Sequence, residues 1–344
     1  MSTRSVDLRA REGDFIETSE GLIFDVKGLI HPPNRIVAFL RYFPDEEGKR
    51  KRNGTSYCKV YSLSKRYVLL MNKYPQYLFY DPIFDEELCE VTLNAVKKHH
   101  KPAINLRELY DSNKLDKTET LALQLSKLMK ETARIPWNTI GISGSIMVGT
   151  HMANSDIDPV VYGSENCKKM YSALKELLSE EQEFLNPYNR KELETLFEFR
   201  SKDTIMDYED FVRTESRKVL QGKFLQRDYF VRFVKDWSEV HEKYGDIQYT
   251  NVGYARVKAT VVDDSESIFT PCTYKISNVR TLEGQQKEPL KEITSFRGRF
   301  CEQAREGEVI IAQGKVERIK HLKENTEYFR LLLGNKPSDF MILA

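Results

Sequence analysis

Gly144-Ser145-Ile146-Met147-Val148-Gly149-Thr150-His151-Met152-Ala153-Asn154-Ser155-Asp156-Ile157-Asp158 is the stretch on which the fold turns. Thr139 to Ser143, just before it, is a short β-prone run, and Asp156 to Tyr162 starts a second one that Gly163 closes. Gly144 allows the backbone to approach a phosphate with no Cβ in the way. Ser145 offers a hydroxyl, and the amides opening the next helical turn offer dipoles, so a polyphosphate fits there. Asp156 and Asp158 stand two apart on a strand, which points both carboxylates to one face. Two hard oxygen donors side by side suit Mg²⁺. Two such ions about 4 Å apart hold an attacking oxygen and the nucleotide phosphates in line. A bare Asp-x-Asp is ordinarily a turn before a strand. The Gly-Ser turn upstream, with apolar runs on both sides, sets this one apart.

The spacing Gly-Ser, three residues, Gly, five residues, Ser-Asp-x-Asp resembles the nucleotidyltransferase superfamily that includes DNA polymerase β, CCA-adding enzymes and the minimal nucleotidyltransferases. The resemblance is close over Thr139 to Tyr162; the β-rich flanks resemble, more loosely, uncharacterised predicted nucleotidyltransferases of archaeal type. It implies a polymerase β-like α/β core with a mixed sheet, Mg²⁺ (two ions) on Asp156 and Asp158, and an NTP such as ATP held near Gly144, Ser145, Gly149 and Ser155. It further implies transfer of a nucleoside monophosphate to an acceptor hydroxyl with release of pyrophosphate. The acceptor is open among an RNA 3′ end, a protein side chain and a small molecule. Two positions depart from the pattern: Val148 stands where minimal members often carry Arg, and Pro159 follows the second aspartate where a β-branched residue is commoner. The superfamily also expects a third carboxylate on a later strand. Asp228, at the start of the run Tyr229 to Val234, is the first choice, with Asp263 and Asp246 as alternatives. The competing function is a binding factor for nucleic acid or protein that keeps this fold without turnover. An antitoxin-like partner protein fits the length less well.

Outward from the motif, the chain of 344 residues divides into three regions. Residues 1–105 read as a β-rich domain and 106–247 as the nucleotidyltransferase core. Residues 248–344 read as a β-rich, barrel-like domain that an OB-type barrel would fit, so the fold class is α+β. In the first region Phe15 to Thr18, Leu22 to Val26 and Ile36 to Tyr42 are β-prone, and Gly48 to Gly54 reads as a hairpin tip carrying four consecutive basic residues. In the core, Asp116 to Glu119 reads as a capping box for a helix bearing Leu121, Leu125 and Leu128. Ser164 reads as the cap of a helix that buries Met170, Leu174 and Leu177. In the last region, glycines and the Arg/Phe alternation of Phe296 to Phe300 are similar to OB-type barrels that bind single strands, and equally to any half-buried edge strand.

Composition narrows the class further. Lys+Arg 53 and Asp+Glu 52 nearly cancel, so any basic surface for nucleic acid must be local. The five cysteines are scattered with no CxxC pair, against a disulfide framework or a cysteine-rich zinc site. The start, residues 1–11, is polar and lacks a signal peptide's apolar core, and no run approaches 18 apolar residues, so a cytoplasmic protein without a membrane partner is the expectation. Weaker signals remain. His31 reads as a turn histidine, His99-His100 as a helix end or exposed loop, and His151 as a group near the nucleotide. Lys218, Lys223, Arg227 and Arg232 flank the later strand, where they serve either triphosphate or surface ion pairs.

Overall fold

The computed structural model describes residues 8–179, 183–284 and 289–344. The first seven residues of the polar N-terminal stretch therefore lie outside the described residues.

The N-terminal region is an antiparallel sheet. β1 (Phe15–Thr18), β2 (Ile23–Val26) and β3 (Arg35–Pro44) pair in sequence and bury Ile16, Phe24, Val26, Ala38 and Leu40 in one core. β4 (Arg50–Arg52) and β5 (Thr55–Lys59) form a hairpin turned at Asn53-Gly54, with φ of 49° and 81°. Two residues with positive φ are what a type I′ turn requires. The basic run predicted at the hairpin tip is thus mostly its first strand: the Arg50 guanidinium donates to the Thr150 carbonyl at 2.7 Å, and Arg52 pairs with Glu17 at 2.8 Å. α1 (Leu63–Lys73), which the sequence reading did not anticipate, and β6 (Leu78–Asp81), β7 (Glu86–Thr92) and β8 (Val96–His100) complete the sheet. Its order is β4-β5-β3-β2-β1-β8, and β7 pairs with both β3 and β6.

The central region alternates helices and strands: α2 (Pro102–Asp111), α3 (Lys117–Ala133), β9 (Ile140–Ile142), the single turn α4 (Gly144–Met147), β10 (Pro159–Tyr162), α5 (Ser164–Ser179), β11 (Leu185–Asn186), α6 (Arg190–Arg200), α7 (Tyr208–Glu215), β12 (Gln221–Phe224), β13 (Arg227–Phe230) and β14 (Arg232–Val234). Asp116 and Glu119 form the expected capping box, each side chain accepting from the other's backbone N–H. Ser164 is the first helical residue of α5 rather than its cap. Its N–H donates to the Glu239 carboxylate at 3.0 Å, so a residue from a distant turn does the capping. β10 lies between β9, to which it is antiparallel, and β14, to which it is parallel. One face of this sheet is buried under α3 and α5 by Leu121, Leu125, Met170 and Leu174. The strand predicted from Asp156 begins only at Pro159. Proline cannot donate to a ladder and is tolerated as a strand's first residue. Ahead of it, Ile157 alone bridges, to Tyr229. The run predicted over Tyr229 to Val234 splits at Val231: β13 turns back onto β12, while β14 joins β10.

The C-terminal region contains β15 (Ile247–Asp263), β16 (Cys272–Glu283), β17 (Leu290–Ser295), β18 (Val309–His321), β19 (Thr326–Leu333) and β20 (Phe340–Leu343). The order β15-β16-β17-β19-β18 closes into a barrel because β18 pairs back with β15, and β17 and β19 run parallel. β17 stops at Ser295, and within the Arg/Phe alternation of Phe296 to Phe300 the residues Gly298–Phe300 form a 3₁₀ turn rather than a strand. The protein is mixed helix and strand, and no helix among the described residues is long and apolar enough to cross a membrane.

Candidate active site

The Gly-Ser turn and the Asp-x-Asp pair are held together by backbone. The Ser143 N–H donates to the Asp158 carbonyl at 2.9 Å, pinning the end of β9 against the start of β10. Gly144 then turns at φ +65°, a conformation that L side chains rarely adopt, and a Cβ on it would stand 2.0 Å from Asp158 Oδ2. Only glycine lets the chain pass so close to this carboxylate. Gly149, at φ +66°, ends the turn. Ser145 is buried and its hydroxyl has no hydrogen-bond partner in the protein, a costly state that a ligand oxygen would relieve. Ser155 is committed to the loop itself: its Oγ accepts the Met152 N–H at 2.9 Å.

Register settles which side chains share the face opposite α3 and α5. Ile157 pairs with Tyr229 and both are buried, so Asp156 and Asp158 project to the other face, together with Asp228 and Phe230 of the neighbouring strand. Val160 pairs with Arg232, which continues the same row. The Ile157 N–H donates to the Asp228 carbonyl at 2.9 Å, which fixes Asp228 beside Asp156. The Asp228 carboxylate pairs with Lys223 at 2.9 Å and also bonds Tyr188. The alternatives lie elsewhere: Asp263 pairs with Lys275 on the barrel and Asp246 with Lys323.

Asp156 is exposed and Asp158 partly buried. Burial, then the Asp156 charge, push the Asp158 carboxyl from 3.8 to about 7, against the opposing pull of Lys59, Arg232 and Arg41. A buried carboxyl with a second carboxylate on the same face behaves in this way.

The N-terminal region supplies groups that the sequence reading did not assign to the site. The segment Arg11 to Asp14 crosses the open face of the core sheet. The Ser143 hydroxyl donates to the Gly13 carbonyl at 2.6 Å, and the Arg11 guanidinium lies 3.6 Å from the Tyr162 ring centroid. Arg232, on the face of Asp158, pairs with Glu12. On β2 and β3, Asp25 binds Arg41 at 2.8 Å and Lys27 at 3.0 Å; its burial is outweighed by Lys27, Arg41 and Arg232, so it stays ionised well below the ordinary carboxylate range. Burial works against the charge of Lys59, yet Tyr42, Asp156 and Tyr61 keep its pKa raised. No local pattern marks these residues. The packing of Phe15, Ile23, Tyr42 and Tyr57 on Met147 and Val148, with the Arg50 hydrogen bond to the Thr150 carbonyl, brings their sheet to the turn.

The other histidines and cations are used structurally. His31 donates from Nε2 to the Ala10 carbonyl at 2.9 Å and accepts the Val37 N–H, and burial lowers its pKa to about 4. His99 and His100, expected at a helix end or exposed loop, lie on β8 and bind Asp14 and Glu17 at 2.8 and 3.0 Å. His151 turns away to Asp116 at 2.6 Å; with Glu119 these form the group of three side chains among the described residues whose ligand atoms all lie within 4.8 Å of one another and so could hold a metal, although both acids already cap α3. Lys218 is buried against Glu215 and Gln303.

Over 347 aligned residues, covering 97% of this chain and 98% of the relative, the sequence is 32% identical to an uncharacterised protein of Methanocaldococcus jannaschii. No family model matches the chain. No solved structure matches it.

Proposed function

This chain belongs to the family of the uncharacterised Methanocaldococcus jannaschii protein, and from its site we propose a metal-dependent nucleotidyltransferase with a polymerase β-like core. The observation that carries the reading is the strand register that puts Asp156, Asp158 and Asp228 on one face of the sheet, with Asp158 against a Gly144 turn that has no room for a side chain. The residues fit Mg²⁺. Burial and the Asp156 charge raise the Asp158 carboxyl well above the ordinary carboxylate range, a tension that a bound cation relieves. Asp156 and Asp158 would hold the metal, which when bound neutralises phosphate charge and polarises the reacting phosphorus.

The chain's own groups do the rest. The Ser145 hydroxyl, buried and unpartnered, binds a phosphate oxygen of the NTP next to Gly144. Lys59 neutralises charge on the triphosphate near Asp156. Asp228, half-exposed beside Asp156, takes the proton of the acceptor hydroxyl once Lys223 yields. The acceptor oxygen forms a bond to the α-phosphorus, the bond from that phosphorus to the bridging oxygen breaks, and pyrophosphate leaves with the electron pair. The exposed Asp156 leaves the acceptor side open to an RNA 3′ end, a protein side chain or a small molecule. The barrel order β15-β16-β17-β19-β18, closed on itself, supports an OB-type barrel in the C-terminal region. Incubation of the full chain with each labelled NTP and Mg²⁺, with cell RNA and protein as acceptors, should transfer label and release pyrophosphate. No transfer and no pyrophosphate with any NTP would reject the reading.

A further inference from the structure

Across the carboxylate face from the Gly144 turn stands a group of arginines that the chemistry above leaves unused. β9 and the turn lie on one side of the Asp-x-Asp segment, and β13 lies on the other. The register that sets Ile157 beside Tyr229 puts Phe230 level with Asp158 on the same face. The turn Gly298–Phe300 sits on that ring: a Cβ built on Gly298 would stand 2.5 Å from Phe230 Cζ. Arg297 and Arg299 flank this glycine. Gln221 pairs with Phe230 and shares its face, and the Arg200 guanidinium donates to the Gln221 side chain at 2.8 Å. The next rung on that face, about 7 Å along the strand, is Lys223 with Asp228.

These cations are short of acids. Arg297 and Arg299 share Asp203, at 3.1 and 3.9 Å, while Arg200 and Lys218 share Glu215, each at 2.6 Å. Glu302 adds negative charge on the Lys218 side. Arg41, whose charge Arg297 feels, already serves Asp25. Burial, then the charges of Arg297 and Arg200, lower the Arg299 pKa to about 9. A largely buried excess of positive charge is costly until an anion joins it. Among the described residues the Arg297 guanidinium, a group with five N–H donors, hydrogen-bonds to Asp203 alone. Arg299 and Arg200 line a cavity together with Thr204 and Gln303.

We infer that Arg297 and Arg299, backed by Arg200, hold a phosphate of the acceptor, and that the acceptor is an RNA 3′ end. This rests on the nucleotidyltransferase reading and narrows its acceptor. The phosphates of the NTP lie at the Gly144 wall, so an anion on the opposite wall, next to Asp228, arrives with the attacking hydroxyl. A nucleotide chain carries a phosphodiester beside its terminal hydroxyl, and a guanidinium fork matches a phosphate's oxygens. A protein side chain would bring the hydroxyl without the phosphate.

Fluorescence anisotropy of a short oligoadenylate with a free 3′ hydroxyl, over a range of salt, tests this on the full chain, with calorimetry of Mg·ATP alongside. Arg297→Gln and Arg299→Gln should each weaken oligoadenylate binding about tenfold. Each should also flatten the slope of log affinity against log salt by about 0.7, the share of one phosphate on a single strand, and leave Mg·ATP binding unchanged. Asp203→Asn, which frees both guanidiniums, should tighten oligoadenylate binding, a gain that a merely structural cluster would not give. Wild-type affinity and salt slope in all three variants would refute the phosphate site and leave the nucleotidyltransferase reading standing. Parallel losses of ATP and oligoadenylate, or weaker binding by Asp203→Asn, would make the cluster a joint between the regions and refute it as well. Orthophosphate binding that the arginine variants weaken, with no oligoadenylate binding, would make this a site for free phosphate and refute the RNA end. A wild-type chain that binds neither Mg·ATP nor oligoadenylate would overturn both readings.

Discussion

Asp158→Asn separates catalysis from stability most sharply. The Asp158 carboxyl is raised from 3.8 in an ordinary setting to about 7 by burial and by Asp156. A carboxyl raised on folding costs stability wherever the unfolded chain ionises it more readily, so the cost is absent below pH 4, grows between pH 4 and 7, and is full above. Taken at face value the shift costs about 4 kcal/mol at pH 7. Relaxation of the partly solvated side chain brings this to roughly 2 kcal/mol. Asparagine keeps the shape and removes the charge. Its thermal midpoint at pH 7 should therefore rise by a few degrees, with the gain fading as the pH approaches 4. Mg²⁺ should stabilise the wild type by mass action and leave the variant unmoved, and Mg²⁺-dependent transfer should vanish. Differential scanning calorimetry at pH 4.5 and 7.5, with and without Mg²⁺, reads all of this. A variant less stable at pH 7.5, or one that retains full transfer, would refute the carboxylate-pair reasoning.

A Cβ at position 144 would stand 2.0 Å from Asp158 Oδ2, so Gly144→Val should lower NTP affinity at least tenfold; unchanged calorimetric affinity would move the nucleotide elsewhere. Lys59→Met should weaken binding of both ATP and tripolyphosphate about tenfold with little change in melting temperature, and an unaltered tripolyphosphate affinity would remove Lys59 from the phosphate path. Glu17 is held at about 2 by its hydrogen bond to His100 and by Arg52, against burial. A depressed carboxyl contributes stability above its unfolded pKa and loses it as pH falls from about 4.5 toward 2. Glu17→Gln should then cost about 2 kcal/mol at pH 7 and progressively less below pH 4.5 in urea titrations; a penalty independent of pH would point to packing instead.

What was legible in the sequence was local. The Asp116 and Glu119 capping box, the apolar row of α5 and the Gly-Ser to Asp-x-Asp spacing each arise from neighbours along the chain, and each appears where the pattern put it. α1 was missed because Val68, Leu69 and Met71 break the polar side of its helical pattern, and two of them are exposed on the folded protein. Pro159 moved the strand start because it cannot donate, and the cap of α5 came from Glu239, which no local signal links to Ser164. The contributions of Lys59 and Arg41 depend on a sheet docking across the core, and sequence separation hides that.

The Arg11 to Asp14 crossing has a thermodynamic consequence. Arg232 holds Glu12 on one side and responds to Asp158 on the other. Any ligand that changes the charge at Asp158 therefore changes the hold on Glu12, and linkage makes the effect reciprocal. On the proposed function, the energy with which the N-terminal sheet clasps the core and the affinity for a cation at Asp158 would be linked through Arg232. A cation bound at Asp158 would change the docking of that sheet by the same factor by which docking changes the affinity for the cation, and a substitution at Glu12, which belongs to neither the turn nor the carboxylates, would weaken that coupling.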